Sequence, residues 1–181
     1  MKKTACLILV FLLLLSVIPF NRTTLKADGN YQWSPINNGL YGGSIESLAI
    51  DPSNTQVIYA GTGGGVFKST NGGSSWSESG LTNSYVRSLA IDPSNTQVIY
   101  AGTWGGVFKS TNGGASWSAI NNGLTETDVW SLAIDPSNTQ VIYAGTWKGG
   151  VFKSTNGGSS WSESGLTNTV VNSLAIDPSN T

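Results

Sequence analysis

Beyond residue 40 the chain alternates short apolar runs with small polar turns, and the same wording returns at a nearly fixed interval. SLAIDPSNTQVIYAGT starts at Ser47, Ser88 and Ser131, and its first nine residues start again at Ser173, giving spacings of 41, 43 and 42. Each unit continues as GGVFKSTNGG(S/A)SWS and then a more variable stretch. Apolar runs this short, rich in Val, Ile, Tyr and Phe and bounded by Gly, Pro, Asn and Asp, predict strands rather than helices. In the second copy, strand A is predicted from Val86 to Ile91. DPSN at residues 92–95 is a turn, because Asp and Asn side chains cap turn amides and Pro fixes φ. Strand B follows from Gln97 to Thr103, strand C from Gly106 to Ser110, and strand D is centred on Trp117. The B segment VIYAGT is a continuous apolar run, which suits a strand covered on both faces.

Four antiparallel strands in a unit of about 40–45 residues match a β-propeller blade, so the predicted fold class is all-β, a β-propeller of four-stranded antiparallel blades. The WD dipeptide and the leucine-rich pattern are missing, and kelch units run nearer ~50 residues. A β-solenoid with two coils per unit is the competing architecture. WSPINNGL from Trp33 aligns without gaps onto WSAINNGL from Trp117, so the tail of a further unit precedes the first complete one. About three and a half blades are therefore present, an incomplete propeller. The expectation is a fragment of a longer exported propeller, with assembly of several chains into a ring as the alternative. From each box Trp to the next SLAI Ser the distance alternates 14, 12, 14, 12 residues, as if units had been duplicated in pairs.

The turn between strands C and D carries a family resemblance. Ser69-Thr70-Asn71-Gly72-Gly73-Ser74-Ser75-Trp76 resembles the Asp-box (BNR) motif, Ser-x-Asp-x-Gly-x-Thr-Trp. That motif is found in propellers of sialidases, family 74 xyloglucan hydrolases, sortilin-type receptors and photosystem II assembly factors, of the YVTN-like kind. It recurs at Ser110, Asn112, Gly114 and Trp117, and at Ser154, Asn156, Gly158 and Trp161. Asn71, Asn112 and Asn156 stand where the family usually has Asp. The physical reading needs no family: Ser hydroxyl and Asn amide satisfy turn backbone groups, Gly permits φ > 0, and Trp is an apolar plate. The box is a structural device and says little about function.

The N-terminus changes the charge balance. Lys2 and Lys3 precede a 16-residue apolar run from Ala5 to Phe20, and a polar stretch then ends at Ala27. This order is that of a secretory signal over residues 1–27, leaving residues 28–181 as the repeat domain, with units starting near 47, 88 and 131 and a partial unit at 173. A membrane span wants about 20 apolar residues, so no stable membrane anchor is expected after cleavage. The destination is secreted or extracellular, or periplasmic if the cell has an outer membrane. Lys2, Lys3, Arg22 and Lys26 leave with the signal, so 9 cations become 5 against 10 carboxylates. That balance excludes a nucleic-acid partner.

Missing residues exclude more chemistry. The chain has no His, and its single Cys, Cys6, lies in the leader. Ser-His-Asp and Cys-His catalysis, thiolate sites and the commonest zinc ligand are all removed, so neither metal nor cofactor is expected.

Positions where near-identical copies differ are the internal guide to function. One set opens strand A: Ser44, Ile45 and Glu46; Tyr85, Val86 and Arg87; Asp128, Val129 and Trp130; Val170, Val171 and Asn172. The other is the B-to-C turn, where Gly63 becomes Trp104 and then Trp147-Lys148. In an up-and-down blade both turns emerge on one rim, opposite the constant DPSN turns and boxes, as in a scaffold carrying a binding surface. Exposed Trp is uncommon without a use, and aromatic plates beside polar groups suit sugar rings. The candidate ligand site is Trp104, Trp130 and Trp147 with Tyr85, Arg87, Glu46 and Asp128, and the candidate partner is a polysaccharide or cell-surface glycan. Packing between blades is the competing role for these Trp residues.

No catalytic residue is assigned. The family's sialidases hold the substrate carboxylate with several arginines, and only Arg87 stands beyond the leader. Resemblance to family 74 implies two carboxylates in an inverting mechanism, which asks for carboxyl groups about 6.5–9.5 Å apart. Glu126 and Asp128 form the one non-repeated acidic pair on a loop, and are read as a solvated turn. The alternatives are a fragment of a secreted xyloglucanase-like hydrolase whose catalytic residues lie outside or are incomplete here, and a protein-binding assembly-factor-like scaffold.

Overall fold

The computed structural model describes residues 34–179; the expected leader, residues 1–27, lies outside the described residues. Among the described residues twelve strands make three sheets, each an antiparallel meander in chain order. The first blade is β1 (Ile45–Ile50), β2 (Ile58–Thr62), β3 (Gly65–Ser69) and β4 (Ser77–Thr82). The second is β5 (Val86–Ile91), β6 (Ile99–Thr103), β7 (Gly106–Ser110) and β8 (Ser118–Ala119). The third is β9 (Val129–Ile134), β10 (Ile142–Thr146), β11 (Gly150–Ser154) and β12 (Ser162–Thr167). The molecule is an incomplete β-propeller with three four-stranded blades, and among the described residues there is no helix.

Strands A and C fall where the repeat predicts them, while B and D are corrected. β6 starts at Ile99 rather than Gln97, because the DPSN turn reaches further: Asp92 N–H bonds Val98 C=O at 3.0 Å and Val98 N–H bonds Asn95 C=O at 2.8 Å. Strand D is not centred on the box Trp but begins after it, at Ser77, Ser118 and Ser162. The Trp is committed to the preceding repeat instead. The indole N–H groups of Trp76, Trp117 and Trp161 donate at 2.7 Å to the carbonyls of Ile36, Ser79 and Ile120, about forty residues upstream.

The two D-strand wordings build differently. SESGLT gives six-residue strands in β4 and β12, whereas AINNGL leaves β8 only two residues. There the Asn121 side chain replaces the ladder: Oδ1 accepts from Val107 N–H at 2.8 Å and Nδ2 donates to Gly105 C=O at 2.9 Å.

Blades stack through the A strands and the central B and C strands. Ser47, Ser88 and Ser131 Oγ each accept the amide of the next unit's Leu (Leu89, Leu132, Leu174) at 3.0 Å. Gly61 and Gly102 lack side chains because Val86 and Val129 of the next blade fill that space; a Cβ on Gly102 would meet Val129 Cγ1 at 2.8 Å. Tyr59, Val66, Val86, Leu89 and Ile99 form one inter-blade core, and Tyr100, Val107, Val129, Leu132 and Ile142 the next. Each fully buried side chain of this size contributes roughly 1.5–3 kcal/mol. The phenols are satisfied across the seam, Tyr59 O–H donating to Gly113 C=O at 2.9 Å and Tyr100 O–H to Gly157 C=O at 3.3 Å. Burial, with the Asp92 carboxylate adding to it, pushes Tyr100 up to about 12, so this phenol stays protonated.

Candidate functional site

All seven candidate residues join in one strip across the three blades, on the rim formed by the D-to-A connections and the B-to-C turns. Glu46 lies on β1, Tyr85 just before β5 and Arg87 on it, and Asp128 just before β9 and Trp130 on it. Trp104 and Trp147 come from the β6–β7 and β10–β11 turns. Both turns are short and Gly-rich, and Trp147 N–H is tied to Asp128 C=O at 2.9 Å.

The aromatic rings pair within blades and the charges link them between blades. Tyr85 stacks on Trp104 with centroids 4.8 Å apart and planes 6° from parallel, and Trp130 stacks on Trp147 at 4.6 Å and 24°. Arg87 Cζ sits 4.4 Å from the Trp130 centroid, 5.0 Å from Tyr85 and 5.5 Å from Trp104, so one guanidinium joins both stacks. Its Nε lies 3.5 Å from Asp128 Oδ1, an ion pair without hydrogen-bond geometry. Asp128 Oδ1 also accepts from the Trp130 indole at 3.0 Å, and Asp128 N–H donates to Glu126 Oε1 at 3.0 Å. At the far end Tyr85 O–H donates to Glu46 Oε1 at 2.7 Å, and the Ser44 hydroxyl donates to the same oxygen. The bond from Ser44, then that from Tyr85, hold the Glu46 carboxyl below its ordinary range against a small opposing effect of burial.

The outcome divides these residues by role. Tyr85, Arg87, Trp130 and Asp128 contact one another and are partly buried, so they brace the rim. Trp104 and Trp147 remain 57% and 38% exposed, each presenting indole surface to solvent. Such plates can stack on a flat apolar ligand face while Glu46 and Asp128 accept hydroxyl bonds beside them. The acidic pair is bonded within its own loop, Glu126 to the Asp128 amide, and Asp128 Oδ1 is engaged by Arg87 and Trp130. The sequence offers Arg87 as one partner among several; in the structure it is the centre of the strip. The available signal is that Arg87 is the one Arg after residue 27. In the first blade Gly63 fills the Trp104 position and leaves room for Tyr85, whose ring carbons lie 3.6 Å from where a Cβ would be.

At the C-to-D turns the three boxes have the same internal bonding. Ser110 Oγ donates to Asn112 Oδ1 at 2.9 Å and accepts from Gly114 N–H at 2.9 Å. Asn112 Oδ1 also accepts from Ser116 N–H at 2.9 Å. Ser69, Asn71 and Gly73 repeat this with Ser75, as do Ser154, Asn156 and Gly158 with Ser160. Asn thus does the acceptor work of Asp, and its Nδ2 adds a bond to the second Ser hydroxyl. Among the described residues no group of His, Cys, Asp and Glu that could hold a metal ion comes together.

No family model matches the chain, and no curated protein does. Solved structures do. The chain is similar to an ancestral GH74 enzyme, with 32% identity, TM-score 0.58, and coverage of 72% of this chain and 19% of that one. It is similar to the GH74 enzyme of Niastella koreensis, with 28% identity, TM-score 0.62, and 75% and 25% coverage. The GH74 xyloglucanase from Xanthomonas campestris shares the fold at 20% identity and TM-score 0.57, over 68% and 24%. The chain spans a quarter or less of each of these proteins.

Proposed function

We propose that the chain is an exported propeller module that binds carbohydrate through the Trp104–Trp147 rim. One observation carries the reading: positions that differ between otherwise near-identical repeats converge on one face and present two partly exposed indoles on a braced base. The bracing matters energetically. A plate held by stacking and by Arg87 loses little conformational freedom when a sugar ring docks on it. Similarity to GH74 enzymes, one of them a xyloglucanase, supports a glycan as the ligand class and makes xyloglucan the first polymer to try.

Affinity electrophoresis on xyloglucan and other plant and bacterial glycans tests this. The chain should be retarded on at least one polymer, and Trp104→Ala and Trp147→Ala should migrate faster there. Unchanged migration of both variants on every retarding glycan would remove the rim from the reading. Hydrolysis of xyloglucan, lost in Asp128→Asn, would make the chain an enzyme instead; engagement of Asp128 by Arg87 and Trp130 argues against that outcome.

A further inference from the structure

Away from the rim, the outward face of the third blade repeats half of an interface that the chain completes twice elsewhere. Tyr59 O–H and Lys68 Nζ both donate to Gly113 C=O of the next blade's box, at 2.9 and 3.0 Å. Tyr100 and Lys109 do the same to Gly157 C=O, at 3.3 and 3.0 Å. Tyr143 and Lys153 hold these places on β10 and β11, and in all three pairs the ammonium is 5.2 Å from the ring centroid. Here, among the described residues, none accepts from Tyr143 O–H or Lys153 Nζ.

Beside them, residues 171–176 lie on β9 as the A strand of a following blade. Leu174 N–H donates to Ser131 Oγ at 3.0 Å and Val171 N–H to Thr146 C=O at 2.9 Å, while Val171 packs over Gly145. Asp177 then opens the DPSN turn, accepting from Ser179 N–H at 2.9 Å and its hydroxyl at 2.6 Å. No described strand pairs with residues 171–176, and a groove of about 400 Å³ lies open between them and Val141, Tyr143 and Lys153.

We propose that this groove binds a β-hairpin with the repeat's own B–C sequence, VIYAGT followed by GVFKSTNGG. Three features select that occupant. First, SLAI pairs residue by residue with IYAG in every complete blade: Ser88↔Gly102, Leu89↔Ala101, Ala90↔Tyr100, Ile91↔Ile99. Residues 173–176 carry the same SLAI, so they offer the same register to an added strand. Second, it is the next blade's B-strand Ile and Ala, as Ile99 and Ala101 do, that cover the core holding Tyr59 and Val66. Third, the hairpin ends in the box glycine whose carbonyl Tyr143 and Lys153 would take. Docking is strand addition at an unpaired edge, with main-chain bonds supplying affinity and alternate side-chain pockets supplying specificity.

The experiment titrates the full chain into a fluorescein-labelled synthetic peptide of residues 97–114, read by anisotropy, with hydrogen exchange on the same mixture. Saturable binding is expected, with slowed exchange at residues 174–176 and no binding of a scrambled peptide. Tyr143→Phe and Lys153→Met should each weaken binding about two- to tenfold, the worth of one hydrogen bond. Both positions are only partly buried, so the variants keep the fold. Absent binding, binding that leaves exchange at residues 174–176 unchanged, or equal binding of the scrambled peptide overturns the proposal. So does self-association of the chain that protects these amides and that the peptide cannot displace, which would assign the face to a second copy.

Discussion

Replacing Ser110 by Ala tests whether the box is held by its buried hydroxyl rather than by its Asn. Ser110 is 1% exposed, and its Oγ accepts from Gly114 N–H at 2.9 Å and from Asn112 N–H at 3.3 Å. Gly114 is buried, so its amide is left without a partner, at a cost of about 1–3 kcal/mol. Asn112 is exposed, and its longer bond is replaced by water at little cost. The expected loss is about 2 kcal/mol, and since 1 kcal/mol moves Tm by about 2–4 °C at this chain length, Tm should fall by about 4–8 °C. Asn112→Ala should cost less, about 1 kcal/mol, because the Ser116 groups it releases face solvent. Asn112→Asp should lie within about 0.5 kcal/mol of the parent. Its carboxylate keeps accepting from Ser110 Oγ and Ser116 N–H, and the Ser116 hydroxyl turns from acceptor to donor. Urea unfolding followed by Trp fluorescence, compared at equal m, measures all three. A loss below about 0.5 kcal/mol for Ser110→Ala, or a larger loss for Asn112→Asp than for Asn112→Ala, would refute the reasoning.

Gly102→Ala should lose about 1–3 kcal/mol through overpacking on Val129, whereas Gly105→Ala, with its nearest neighbour at 3.7 Å, should be neutral or gain up to about 1 kcal/mol in thermal melts. Tyr59→Phe should cost about 1 kcal/mol, and Tyr143→Phe in the isolated chain should stay within about 0.5 kcal/mol, since only the first phenol has a partner across a seam. Burial alone would raise Asp51, but bonds from the Ser53 hydroxyl and amide, Thr96 and the Asn54 amide outweigh it and hold the carboxyl below its ordinary range. Its stabilisation is present above the unfolded value of about 3.9 and is lost as pH falls through the lower folded value. Denaturation midpoints taken from about pH 5 to pH 2 should therefore fall more steeply for the parent than for Asp51→Asn. Arg87→Met should lower stability by about 1 kcal/mol and alter Trp emission, because the cation over Trp130 is removed while the apolar stem is kept.

The amino-acid sequence by itself determined the blade and its repeat. Strands A and C run from Val86 to Ile91 and from Gly106 to Ser110 as predicted, since apolar runs between Asp-Pro and Gly-rich turns have only one local way to fold. It also placed the variable residues on one rim, because side-chain position in a meander follows from strand order. Tertiary structure decided what each of these groups touches. Trp117 reaches Ser79, 38 residues away, and Arg87 reaches Asp128 and Trp130 of the next blade, so neither the start of strand D nor the centre of the rim could be read locally. Asn121 shortens β8 only because the carbonyl of Gly105 and the amide of Val107 stand beside it. Local sterics and turn chemistry act within a few residues and are written in the order of the chain. Stacking partners and seam hydrogen bonds depend on how one sheet lies on the next, which is set when the blades pack.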